Sequence, residues 1–392
     1  MHDAPARKLV LAIGDRTPTP AQEAELRDKA RSAALLCAAT PTPNCTERPV
    51  ASQAVPKRTL ICAVTFALAL VGCSSSKHAS SGASPTTTKS VGTAAGATTG
   101  NASPTTATVS ATAPLQIATA PWQLPEGRAR EVVLAGDHAL YVVGGLNPGK
   151  SSTARVWHVA LPAGTTTRLA ILPIAVHDAS GAWLPPSVFV FGGGNASEVS
   201  AVQQYQAGAA KVAAQLPEAR SDTSAITING TAYVLGGYDG SAEPAAVLAT
   251  NDGVTFRAVA QLAQTVRYAA AAEVAGRIYL LGGEHHGTTV STVQTIDPGP
   301  GAARIAGQLP MPITEATAVV LDDAILLIGG RSGGRTLDTV QGYDPATGAL
   351  TVVGHLPYPV ADAGAAVVDG VAYVVGGETP AVTASVITLR HG

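Results

Sequence analysis

Six times between Leu115 and Gly392 an apolar run ends in a glycine pair: YVVGG at Gly145, FVFGG at Gly193, YVLGG at Gly237, YLLGG at Gly283, LLIGG at Gly330 and YVVGG at Gly377. The spacings are 48, 44, 46, 47 and 47 residues. A leucine stands 20 residues before the first glycine of every pair, at Leu124, Leu172, Leu216, Leu262, Leu309 and Leu356, and that interval never changes. Such a period marks one supersecondary unit that cannot bury its own faces and must stack on copies of itself. The variation in length falls after the glycines, where loops absorb it.

Between leucine and glycines lie two short strands and a turn. SAITINGTAYVLGG (224–237) and GAAVVDGVAYVVGG (364–377) show this, with Asn229-Gly230 and Asp369-Gly370 as hairpin signals. A third strand such as TVQGYD (339–344) follows, then the turn PATG and a fourth strand, ALTVVGHL (349–356). Six copies of a four-stranded antiparallel unit predict an all-β, six-bladed β-propeller over residues 115–392. The 41 Gly and 27 Pro suit a chain of short strands and turns.

The unit resembles the kelch repeat, with its apolar strand ending in Gly-Gly, a later Tyr-Asp as at Tyr343-Asp344, and a fourth strand leading into the next copy. The resemblance spans the whole region. The fourth-strand Trp usual in that family is mostly absent, with Phe256 standing in once. The last copy stops at its third strand, AVTASVITLR (381–390), and the region opens with an unpaired fourth strand, LQIATAPW (115–122). The N-terminal strand is therefore expected to complete the last blade and leave no free seam.

Upstream, in VPKRTLICAVTFALALVGCSSS (55–76), Lys57 and Arg58 precede an uncharged run, Leu60 to Gly72. That run is shorter than the ~20 residues of a membrane helix and suits the apolar part of a secretory signal. It ends in Leu70-Val71-Gly72-Cys73, which resembles the bacterial lipobox. The resemblance implies a lipoprotein signal peptide over 55–73, lipid attachment at Cys73, and a protein anchored on the extracytoplasmic face of a bacterial cell membrane. Residues 1–54 stand in front of this signal and are expected to be a non-native or disordered extension. Residues 74–114 are Ser, Thr, Ala, Gly and Pro without an aromatic, which predicts a disordered linker.

One motif argues for another function. Gly144, Gly149, Lys150 and Ser151 fit the phosphate-loop pattern G-x-x-x-x-G-K-[ST]. A phosphate loop needs a helix after it, whose N-terminal amides face the phosphates, and the residues after Ser151 alternate as a strand. The sister copies lack Lys-Ser at this place, so no nucleotide is expected. A net charge of -2 offers no basic field, so nucleic acid is not expected either.

Strands one and two run antiparallel, so residues after the repeat leucine and residues after Gly-Gly share one rim. In kelch-type propellers, which this region resembles, strand one is innermost and its first residues ring the channel mouth. Six residues past each leucine stand Arg130, Asp178, Asp222, Tyr268, Glu315 and Asp362, all polar and four of them acidic. One residue earlier are His177 and Arg267, and directly after Gly-Gly are Tyr238, Glu284, Arg331 and Glu378. These twelve residues form the candidate ligand-binding rim. Carboxylates interleaved with arginines suit a hydroxyl-rich or mixed-charge ligand, or a cation. Asp and Arg pairing between blades at a wet rim accounts for the same pattern without a ligand.

Two functions follow. The preferred one is an envelope-anchored binding or scaffold module, acting as a monomer, that holds a carbohydrate, peptide or protein partner on the rim. The rival is an enzyme. Six-bladed kelch-type propellers include sugar mutarotases similar to the sialic acid epimerase, and there Asp178, Asp222, Glu315 and Asp362 would be the catalytic candidates, as acid and base at an anomeric centre. Copper-radical oxidases of this fold need a Tyr-Cys cofactor, and all four cysteines, Cys37, Cys45, Cys62 and Cys73, precede the repeats. No cofactor is expected. Glu284-His285-His286 has metal-ligand chemistry, but adjacent loop histidines are mostly solvated, and no metal is expected.

Overall fold

The computed structural model describes residues 114–298 and 303–392. The extension 1–54, the signal 55–73 with Cys73, and the linker up to residue 113 lie outside the described residues.

Each described repeat folds as a four-stranded antiparallel sheet, and there are six such sheets. Their innermost strands are Val132–Gly136, Ser180–Leu184, Ser224–Ile228, Ala270–Val274, Thr317–Leu321 and Gly364–Val368. These six strands contact one another in succession, and the first also contacts the sixth, so they surround a central channel. Blades one to six are numbered by them. No helix occurs among the described residues. In blade six the outermost strand is Leu115–Arg128, which pairs antiparallel with Thr383–His391.

The glycine pairs have a backbone cause. The first glycine of each pair has φ between 60° and 67°, the second between 85° and 103°. A Cβ on Gly236 would stand 2.3 Å from the carbonyl oxygen of Val266 in the approach to blade four. The second glycine then donates its N–H across the seam, Gly237 to Val266 O at 2.9 Å, and the same bond recurs at every seam, including Gly377 to Arg128 O at 2.7 Å. The pair is thus a blade-to-blade staple that only glycine can make. At the other end of the hairpin, Asn229-Gly230 and Asp369-Gly370 both carry two positive φ values, as a type I′ turn requires.

The leucine column has a packing cause. The buried apolar residues divide into six clusters, one between each pair of successive blades, and each cluster holds one repeat leucine. Leu309, for example, packs with Tyr279 and Leu281 of blade four and Ile325 and Leu327 of blade five. The second strand of each blade is covered on both faces and so reads as an unbroken apolar run. The core is therefore distributed around the ring, and each blade depends on its two neighbours.

Two elements were not foreseen in the sequence. The loops after Gly283 and Gly330 fold into small hairpins, Glu284–His285 with Thr288–Thr289 and Arg331–Ser332 with Arg335–Thr336, which stand up from blades four and five. At the phosphate-loop pattern, strand Thr153–Ala160 follows Ser151 at once. The amide cradle that pattern would need is not built.

Candidate functional site at the channel mouth

All six residues placed six positions after the repeat leucine adopt the left-handed conformation, with φ between 52° and 59°. Their backbones form a closed ring. Asp178 N–H donates to the Arg130 carbonyl at 3.0 Å, Asp222 to Asp178, Tyr268 to Asp222, Glu315 to Tyr268, Asp362 to Glu315, and Arg130 to Asp362 at 2.8 Å. Left-handed backbone costs a non-glycine residue roughly 1–2 kcal/mol, and one inter-blade bond per residue holds it there. The residue before each ring member pairs with the residue after Gly-Gly: His177 with Gly194, Ser221 with Tyr238, Arg267 with Glu284, Thr314 with Arg331, Ala361 with Glu378. The twelve candidate residues therefore do stand on one rim.

Their side chains are unevenly arranged. Arg130 reaches Asp178 Oδ2 at 3.1 Å, Asp362 Oδ1 at 3.3 Å, the Tyr268 hydroxyl at 3.4 Å and Glu315 Oε1 at 3.9 Å, so one guanidinium touches four of the other five ring members. Arg331 pairs with Glu315, with Asp362 at 3.2 Å and with Glu378 at 2.8 Å. Arg267 forms a separate group with Asp222 at 3.4 Å and Glu284 at 3.0 Å, its guanidinium lying over the rings of Tyr238 and Tyr268. His177 stands at the edge, with Nδ1 2.9 Å from the Ser152 hydroxyl and Nε2 3.7 Å from Asp178.

Three arginines face six carboxylates, and burial decides how those carboxylates ionise. Asp178 and Asp362 have side chains only 8% and 3% exposed. Desolvation pushes the Asp178 carboxyl up to about 8 against the opposing pull of Arg130. It pushes Asp362 to about 7, again against Arg130, with Glu315 and Glu378 adding to the rise. Asp222 is raised by burial as well, while Tyr268 and Arg267 give it hydrogen-bonding and charge support. Burial and the neighbouring Arg130 lower His177, which keeps it neutral. Groups that change protonation near neutrality thus flank one fixed cation.

Sequence reasoning missed Glu131. It is 6% exposed and lies one residue inside the ring, on the wall of a channel cavity of about 270 Å³ that Arg130, Asp178 and Asp362 also line. Its Oε1 accepts from Gly364 N–H at 3.3 Å, while Oε2 is buried without a partner. Burial raises its carboxyl to about 8. A signal existed: the matching positions of the other copies are Ala179, Thr223, Ala269, Ala316 and Ala363, so a glutamate interrupts a column of small residues.

Residues 312–349 match the Kelch motif. By fold the chain is a six-bladed β-propeller, with the Kelch motif in one stretch of it. The chain is similar to the solved structure of YjhT, with a TM-score of 0.60 and 16% identity over 68% of this chain and 99% of that one. At that identity the likeness speaks of fold alone. No match is found among curated proteins.

Proposed function

We propose that this kelch-type propeller is a binding module which takes a hydroxyl-rich or mixed-charge ligand, such as an envelope carbohydrate or a peptide end, at the channel mouth. The observation that carries this is Arg130, which spans the ring to four partners from four other blades above a cavity. A ring that served packing alone would pair each blade with its neighbour in the same way. Here the mouth is lopsided, and each of the six rim carboxylates already has an arginine within reach. A bare anion would meet six carboxylates and a bare cation three arginines. A ligand offering donors and acceptors together can replace these partners one by one.

A second reading rests on Asp178 and Asp362. Both are raised toward neutrality and both contact Arg130, as a site that exchanges protons at an anomeric centre would need. In that reading the protein is a mutarotase-like isomerase with Asp222 and Glu315 as further candidates. For either activity, the sequence Leu70-Val71-Gly72-Cys73 supports an anchor to the outer face of a membrane through lipid on Cys73. That part predicts a lipid mass on Cys73 in the intact cell, absent in Cys73→Ser.

The deciding experiment is a thermal-shift series with envelope sugars, peptidoglycan fragments and short peptides. A ligand at 100 times its dissociation constant adds about 2.7 kcal/mol of stability, or roughly 5–10 °C. The shift should vanish in Arg130→Met and shrink in Asp222→Ala and Arg267→Ala. An anomer-exchange assay on any sugar that binds then separates the readings. No shift with any compound would sink small-molecule binding and leave a protein partner, to be sought by crosslinking on cells.

A further inference from the structure

The loop joining the second and third strands of blade three brings Glu243 against the small hairpin of blade four that carries His285 and His286. One donor atom from each of these three residues lies within 4.8 Å of the other two. We propose that Glu243, His285 and His286 bind a divalent transition-metal ion of the zinc class at the seam between blades three and four. Glu284, which the sequence would have put in such a set, turns away to Arg267 instead. Glu243 takes its place from 41 residues upstream, and no spacing pattern announces it.

The donors are held in place by the protein itself. The Glu243 side chain is 4% exposed, with Oε1 accepting from His286 N–H at 2.7 Å and Oε2 from the Thr265 hydroxyl at 3.0 Å. His285 Nδ1 lies 2.7 Å from the Thr265 carbonyl oxygen and 3.2 Å from Glu243 Oε2. A histidine that donates one ring N–H to a backbone carbonyl is oriented and has its tautomer fixed, as metal-ligating histidines are. His286 and Gly287 have φ of 50° and 74°, a type I′ turn that fixes the register of the hairpin and sets the two imidazoles 4.0 Å apart between ring centres.

Chemistry narrows the ion. Two imidazoles and one carboxylate suit zinc, copper(II) or nickel(II), whereas calcium and magnesium take oxygen donors. A tetrahedral zinc site with bonds of about 2.0–2.2 Å has donors roughly 3.4 Å apart, so the set needs to close by at most about 1.4 Å. The exposed His286 side chain is free to make that movement. Three protein donors leave one position of four open, as in sites where a water or substrate completes the shell. Glu243 and His286 also line a cavity of about 270 Å³ with Tyr238 and Arg267.

Calorimetric titration of Zn²⁺ into the full chain tests this, with its four cysteines alkylated beforehand so that thiolates outside the propeller do not chelate. One saturable site is expected. His286→Ala, a change at an exposed side chain, should weaken it at least tenfold without moving the metal-free melting temperature. His285→Ala and Glu243→Gln should weaken it about 100-fold. His355→Ala, an exposed histidine of blade five, should leave the affinity unchanged. The proposal is overturned by the absence of a saturable site, by an affinity that survives the double change His285→Ala/His286→Ala, or by an equal loss in His355→Ala.

Discussion

Replacing Arg130 with Met keeps an unbranched apolar stem and removes the charged head, which isolates what the guanidinium does for the two most buried aspartates of the mouth. In the native protein Asp178 and Asp362 have carboxyls raised to about 8 and about 7, above the ordinary value near 3.9. A carboxyl raised by folding stabilises the fold fully below its unfolded pKa, and that contribution is lost as pH rises through the folded one. Native stability should therefore fall between about pH 4 and pH 8 and then level off, because Arg130 allows both protons to leave. In Arg130→Met they stay bound, and stability keeps falling.

Each pH unit beyond the native pKa costs about 1.4 kcal/mol per retained proton. At pH 9 that is one unit for Asp178 and two for Asp362, a ceiling of about 4 kcal/mol, near the range for breaking a buried ion pair. Arg331 remains 3.2 Å from Asp362 and reduces its share. Asp178 keeps only His177, at 3.7 Å, whose protonation burial disfavours. The extra loss at pH 9 over pH 5.5 should then be about 2–4 kcal/mol, roughly 5–10 °C in melting temperature. Calorimetric melts at both pH values measure it, and adding Asp178→Asn and Asp362→Asn to the variant should close the gap. An equal loss at both pH values would refute the electrostatic argument and leave packing as the cause.

Three further outcomes are expected. Gly236→Ala should cost roughly 3 kcal/mol or more, since its Cβ would meet the Val266 carbonyl at 2.3 Å, while Gly230→Ala, with φ of 75° but open space around it, should cost about 1 kcal/mol; equal losses in melts would mean the close approach is unimportant. Glu131→Gln should remove one proton from the pH dependence of stability between about pH 5 and pH 8, flattening the fall by about 1.4 kcal/mol per pH unit, and an unchanged slope would mean that Glu131 is ionised in the folded protein. Leu309→Ala, in the cluster between blades four and five, should destabilise the fold by about 2–5 kcal/mol in urea melts, and a loss under 1 kcal/mol would contradict the view that each repeat leucine seals a seam.

The fold was legible because each of its repeating marks has one physical job done at every seam. The Gly-Gly staple needs positive φ and no Cβ, so no other residue can drift into it, and the leucine fills one seam cluster in each copy. Fixed spacing between these marks gave the rim its register, which is why all twelve candidate residues stand where the count put them. Side-chain direction did not follow from that count. Nothing in the period shows that Arg130 lies across the mouth toward four blades, since its reach depends on where the ring closes in space. Glu131 was passed over because one glutamate among small residues looks like tolerated variation until its burial is seen. Glu243 lay in a loop of unconstrained length, which carries no periodic signal at all.

The ring's composition itself separates structural from functional demand. Asp is one of the few side chains that tolerates left-handed backbone, because its short carboxylate can hydrogen-bond locally. The backbone alone therefore gives reason enough for Asp178, Asp222 and Asp362. Arg, Tyr and Glu have no such preference, yet Arg130, Tyr268 and Glu315 hold the other three positions at φ of 59°, 54° and 56°. Arg130 meets the other two across the mouth: it bonds the Tyr268 hydroxyl, lies within ion-pair distance of Glu315 and faces the Tyr268 ring at 5.6 Å. The residues that the backbone does not account for are thus the ones that break the sixfold symmetry. A ligand that uses the mouth should depend on Arg130, Tyr268 and Glu315 more than on the aspartates that share their ring.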